Sequence, residues 1–130
     1  MARIADKLRI KPGTTVWSSD AARVASLGAL PDGARIVDRL AAADAAVVFA
    51  DDAASARAVL DSVRADLGHP SAFWVAYPKG NRADINRDSL WPILAEYGMR
   101  PISQVAIDDT WSALRFRMLA PGEAPFTGGR

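Results

Sequence analysis

A chain of 130 residues, half of them hydrophobic and 24% charged, has the size and make-up of one folded domain and is too apolar for a disordered segment. With no cysteine and a single histidine, His69, it excludes a disulfide framework, a thiolate nucleophile and a zinc centre of the Cys/His type. The net charge is +1 and the 16 basic residues are interspersed with 15 acidic ones, so no nucleic-acid partner is expected.

From the N-terminus, Met1-Ala2-Arg3-Ile4-Ala5-Asp6 lacks the apolar stretch of a signal peptide, and a cytoplasmic location is expected. Lys11-Pro12-Gly13 is a turn signal ahead of Thr14-Thr15-Val16-Trp17, a β-branched and aromatic run that predicts the first strand. Ser18, Ser19 and Asp20 are N-cap residue types for a short helix over residues 21–27. Pro31-Asp32-Gly33 predicts a turn and residues 34–38 a second strand. The continuous run Ala45-Ala46-Val47-Val48-Phe49-Ala50 predicts a strand buried on both faces, as in a parallel sheet; it is too short to span a membrane.

Asp51 or Asp52 then caps a helix whose apolar residues, Ala56, Val59, Leu60, Val63 and Leu67, recur at helical spacing, with Gly68 as the expected stop. His69, between Gly68 and Pro70, falls in an exposed loop. Residues 71–77 predict the next strand. Asn86 or Asp88 starts a further helix with Leu90, Ile93, Leu94 and Tyr97 inward, Pro92 near its first turn and Gly98 at its end. Residues 102–107 and 113–119 predict two closing strands, with a turn at Asp108-Asp109-Thr110-Trp111-Ser112 too short for a parallel crossover, so the pair must be an antiparallel hairpin. The domain spans residues 1–120, and the Pro- and Gly-containing tail, 121–130, is expected to be loose. The fold class is therefore α/β: a three-layer, mostly parallel sheet of about six strands.

Several of these segments carry a family resemblance. Leu8-Arg9-Ile10-Lys11-Pro12-Gly13 resembles the lead-in to the first strand of class I S-adenosylmethionine-dependent methyltransferases. Asp44-Ala45-Ala46-Val47-Val48-Phe49 resembles their central strand, and the terminal hairpin resembles their C-terminal edge. More narrowly, Trp74-Val75-Ala76-Tyr77-Pro78-Lys79 and Trp111-Ser112-Ala113-Leu114-Arg115 are similar to a bacterial family, domain of unknown function 3052. The resemblance covers positions 8 to 119 and implies a Rossmann-like strand order of 2-1-3-4-6-5.

Two departures bear on function. The resemblance implies a glycine-rich turn after the first strand, where the backbone approaches the cofactor; here Trp17-Ser18-Ser19-Asp20-Ala21-Ala22-Arg23 contains no glycine. Trp17 is expected to take up space that an adenosine needs. Asp38 alone matches the acid that binds ribose. Second, only residues 39–43 stand where the enzyme core holds helix, strand and helix, so this link is expected to return the chain in nearly extended form. No cofactor and no metal are expected, and a non-catalytic methyltransferase-like binding module is the primary reading. A small-ligand enzyme or a remnant methyltransferase acting at the carboxyl rim of the sheet is the alternative.

The candidate ligand-binding residues share that rim: Ser18, Asp38, Tyr77, Lys79, Arg82, Asp108, Asp109 and Trp111, beside Ser19, Asp51 and Asp52. Lys79 or Arg82 could meet a phosphate or carboxylate. Asp108 and Asp109 could serve acid–base chemistry or bond their own turn. Trp111 suits a packing anchor as well as a stacking platform. Arg115 and Arg117 alternate with apolar residues and so share one sheet face, which must be open or supply acids. Both longer helices are expected on one face. The other is expected to pair in a homodimer or to be covered by the N-terminal segment, and a small anion or a protein is the expected partner.

Overall fold

The computed structural model describes residues 7–20, 23, 30–79 and 85–124. Six strands are found: β1 (Thr15–Ser18), β2 (Arg35–Ile36), β3 (Ala45–Phe49), β4 (Ala72–Pro78), β5 (Met99–Ala106) and β6 (Trp111–Met118). They form one sheet in the expected order, β2-β1-β3-β4-β6-β5. The first four are parallel, and β6 runs antiparallel to both β4 and β5. Among the described residues the α-helices are α1 (Ala53–Ser62) and α2 (Arg87–Ala95). The helix expected over residues 21–27 falls outside the described residues, apart from Arg23.

Period-two alternation sends the buried apolar strand residues to two cores, one on each face of the sheet. Ala46 and Val48 of β3, Phe73, Val75 and Tyr77 of β4, and Leu114 and Phe116 of β6 pack beneath both helices, against Ala56, Leu60, Leu90, Ile93 and Leu94. Ala45, Val47, Phe49, Ala72, Trp74, Ala76 and Ala113 face the other way and meet Leu8 and Ile10. Both helices thus cover one face, as the handedness argument requires, and the segment before β1 covers the other. The Trp74 indole N–H donates to the Leu8 carbonyl at 2.8 Å, which ties that segment down through a buried hydrogen bond.

The helix starts follow from local chemistry. Asp52 accepts from the Ser55 backbone N–H at 2.7 Å, while the Ser55 hydroxyl accepts from the Asp52 N–H. Asn86 and Ser89 repeat this reciprocal cap on α2. The ends are less regular. Helix α1 stops at Ser62 and passes into a 3-10 turn at Arg64–Asp66, so Gly68 is not its terminator. Pro92 lies inside α2, past the first turn, contrary to the sequence reading. Gly98 does end the α2 segment in the left-handed region, φ 76°.

The link between β2 and β3 also departs from expectation. Leu40–Ala42 form a 3-10 turn rather than an extended return, and Leu40 is buried against the helix-side core. The reason is the register. Val16 of β1 is the partner of both Ile36 and Ala45. Strand β2, shortened from the expected five residues to two, ends at the level where β3 begins, so the chain only crosses β1 sideways. Two strand spacings, about 9.5 Å, are covered with slack enough for a turn.

Candidate functional site at the carboxyl rim

Strands β1 and β2 diverge at their carboxyl ends around a cleft of about 430 Å³ lined by Trp17, Ser18, Ser19, Ile36, Val37 and Asp38. Backbone geometry at its floor is set by serines. The Ser18 hydroxyl accepts from the Asp20 N–H at 3.2 Å and donates to the Asp20 carbonyl at 3.1 Å. The Ser19 hydroxyl accepts from the Phe49 N–H at 2.7 Å, bridging β1 to the end of β3. Asp38 is exposed at the mouth, and Ile36, 45% exposed, presents an apolar wall.

Ser18 and Asp38 are the two candidate binding residues that this cleft brings together. Tyr77, Lys79, Asp108, Asp109 and Trp111 lie near the ends of β4 and β6, outside the lining of the cleft. The Tyr77 ring is buried on the helix side, and its hydroxyl accepts from Gln104 Nε2 at 2.7 Å. Asp108 Oδ1 accepts from the Thr110 and Trp111 N–H groups, both at 2.8 Å, closing the hairpin turn. Asp109 is exposed beside it. Lys79 is half-buried and its backbone N–H donates to Thr110. Arg82 lies outside the described residues.

Arg23 gives this rim an organisation that sequence reasoning missed. Its guanidinium reaches Asp51 at 2.8 Å and Asp20 at 3.3 Å and lies over the Trp111 ring, 4.9 Å from the centroid. Trp111 in turn meets Phe49 edge-on at 5.5 Å. Asp51, Arg23, Trp111 and Phe49 thereby form one stack closing the ends of β3 and β6. The partners are far apart in sequence, and no spacing motif announces them. Among the described residues, no group of three or more His, Asp or Glu side chains could hold a metal ion, and no helix is long and apolar enough to cross a membrane.

Whether the cleft suits a nucleoside cofactor of the methyltransferase kind turns on the segment after β1. A backbone that must wrap a nucleoside needs residues free to approach it without a Cβ. Here Trp17 and two serines line that position, the Ser18 hydroxyl is committed to closing the turn, and β2 is too short to extend the far wall. Asp38 is the one carboxylate among the residues that line the cleft. The residues present do not fit the group.

No protein-family model matches the sequence, and no curated protein matches it significantly. Solved structures resemble the fold. A Streptococcus agalactiae protein of the NADB-Rossmann superfamily superposes with a TM-score of 0.56 at 12% identity, over 98% of this chain and 71% of that one. A candidate tRNA (m1A22) methyltransferase from Streptococcus pneumoniae, solved with S-adenosyl-L-methionine, gives 0.53 at 11% identity, over 88% and 70%. The B. subtilis M1A22 tRNA methyltransferase TrmK gives 0.50 at 12%, over 89% and 65%. At such identities the likeness establishes architecture: this chain has a Rossmann-like, methyltransferase-like fold.

Proposed function

We propose that the chain is a non-catalytic, methyltransferase-like binding module that takes a small ligand or a partner's side chain in the carboxyl-rim cleft. The observation that carries this reading is the glycine-free, serine-closed turn after β1. It leaves a cleft on the side of the sheet where Rossmann-like folds bind ligands, yet it denies a nucleoside close backbone contact. The polar groups nearby support the same reading. Asp51 is paired to Arg23, Asp52 caps α1, Asp108 closes a turn and the Tyr77 hydroxyl is bonded to Gln104. The narrower kinship with domain of unknown function 3052 belongs to this proposal. It rests on Trp74-Val75-Ala76-Tyr77-Pro78-Lys79 and Trp111-Ser112-Ala113-Leu114-Arg115.

Titration calorimetry with S-adenosylmethionine and S-adenosylhomocysteine tests the proposal. The expected result is no saturable heat, which places any affinity weaker than about 1 mM, or −4.1 kcal/mol. Micromolar binding of either compound would replace this reading with that of a remnant methyltransferase.

A further inference from the structure

The amino rim, at the opposite end of the sheet, holds a second concavity. A cavity of about 230 Å³ is lined by Arg9, Lys11, Thr14, Asp44, Ser71 and Arg115, with Ala45 and Ala72 at its back. Three cations face one carboxylate there. That carboxylate is already engaged: Asp44 Oδ2 accepts from the Thr15 N–H at 3.1 Å and lies 3.3 Å from the Thr15 hydroxyl. Among the described residues no acid pairs with Arg9, Lys11 or Arg115.

Arg115 is the unusual member. It projects from β6 on the face covered by Leu8 and Ile10, opposite Trp74 in register. Its Nη2 donates to the Ser71 carbonyl at 2.9 Å, while its Nε is buried without a partner. Burial and the charge of Arg9 both pull this guanidinium below its ordinary pKa, so like charges are being held together. Arg9 is the one non-glycine among the described residues with a positive φ, 64°. This conformation is one that L-residues other than glycine rarely adopt, and it is kept at a lining position between the buried Leu8 and Ile10. A folded protein that gathers uncompensated cations around a cavity several times the volume of a water, about 30 Å³, gains most from an anion there.

We propose that this amino-rim cavity is a binding site for a small phosphate-bearing ligand, with Arg9, Lys11 and Arg115 as its cationic wall; the Thr14 hydroxyl is engaged, donating to the Lys11 carbonyl at 2.6 Å. The volume admits a phosphate group with a few further atoms, which is below the span of a typical whole-cofactor pocket, about 300–1,000 Å³. The site stands apart from the carboxyl-rim cleft, so it survives or fails independently of the function proposed above.

The full chain, labelled with ¹⁵N, is titrated with inorganic phosphate at constant ionic strength, with sodium acetate and sodium chloride as parallel titrations. The Arg115 Nε–H and the backbone amides of Thr14 and Ser71 serve as reporters. The expected result is a saturable phosphate-induced shift of these signals, absent with chloride and weaker with acetate. In the double variant Arg9→Gln/Lys11→Gln, which alters only exposed side chains, phosphate affinity falls by at least about tenfold while the unliganded Tm does not fall. A linear, unsaturated response, an equal response in the double variant, or a stronger response to acetate would each overturn the assignment.

Discussion

Glu123 shows how one side chain resolves a conflict written into the sheet. Arg100 of β5 and Arg117 of β6 are direct cross-strand partners, an arrangement of like charges that opposes pairing. Glu123 reaches back to accept from Arg117 at 2.7 and 2.8 Å and from Arg100 at 2.9 Å, and it also accepts from the Ala120 N–H. The Arg117 bonds and the Ala120 N–H hold its carboxyl far below the usual carboxylate range. A carboxylate depressed in this way contributes stability that is complete above the unfolded value, about 4.3. That contribution is lost as pH falls through the folded value. Glu123→Gln is therefore expected to lower the urea midpoint at neutral pH and to flatten its decline below about pH 4, converging on the parent at strongly acidic pH. Equal acid limbs in the two proteins would refute the clamp. The sequence disclosed that Arg115 and Arg117 share a face that must be open or supply acids. It could not disclose that one acid arrives from residue 123, inside the segment expected to be loose, while among the described residues none pairs with Arg115.

Elements whose signals are local were legible in the sequence, and those set by register were not. Asp52 with Ser55, and Asn86 with Ser89, are side-chain and backbone pairs three residues apart, so each cap is complete within a single turn. Asp52→Ala is expected to cost about 1 kcal/mol, within the 0.5–2 kcal/mol typical of N-caps, measured by urea denaturation. Asp51→Ala, which removes an exposed ion pair with Arg23, is expected to cost less than about 1 kcal/mol. The reverse ranking would show that the rim pair, and not the cap, holds the start of α1. Strand β2 illustrates the opposite case. Ile36 and Val37 both favour strands, yet pairing stops at Ile36 because β3 begins at that level. No propensity encodes where a neighbouring strand starts, and the 3-10 link followed from that register alone.

For the whole molecule, the strand order was legible through the resemblance to class I methyltransferases, while the residues themselves showed that the uninterrupted apolar run suits a buried parallel strand and that the short closing connection must be antiparallel. The amino-rim cavity was not, since Arg9, Lys11 and Arg115 lie more than a hundred residues apart at the extremes and meet only once β6 has folded beside β4. The segment before β1 completes the second core. Leu8 is fully buried and its carbonyl holds the Trp74 indole. Leu8→Ala is expected to cost about 2–5 kcal/mol, a large part of the 5–15 kcal/mol total of an ordinary domain. A loss below about 1 kcal/mol in chemical denaturation would mean that the face is not closed by this segment. The most direct test of the central claim, that a glycine-free turn keeps a nucleoside cofactor out of the carboxyl-rim cleft, is an amide chemical-shift map recorded with excess S-adenosylmethionine. The account predicts no saturable movement of the Ser18, Ser19 and Asp38 signals; saturable shifts concentrated on those three residues would contradict it.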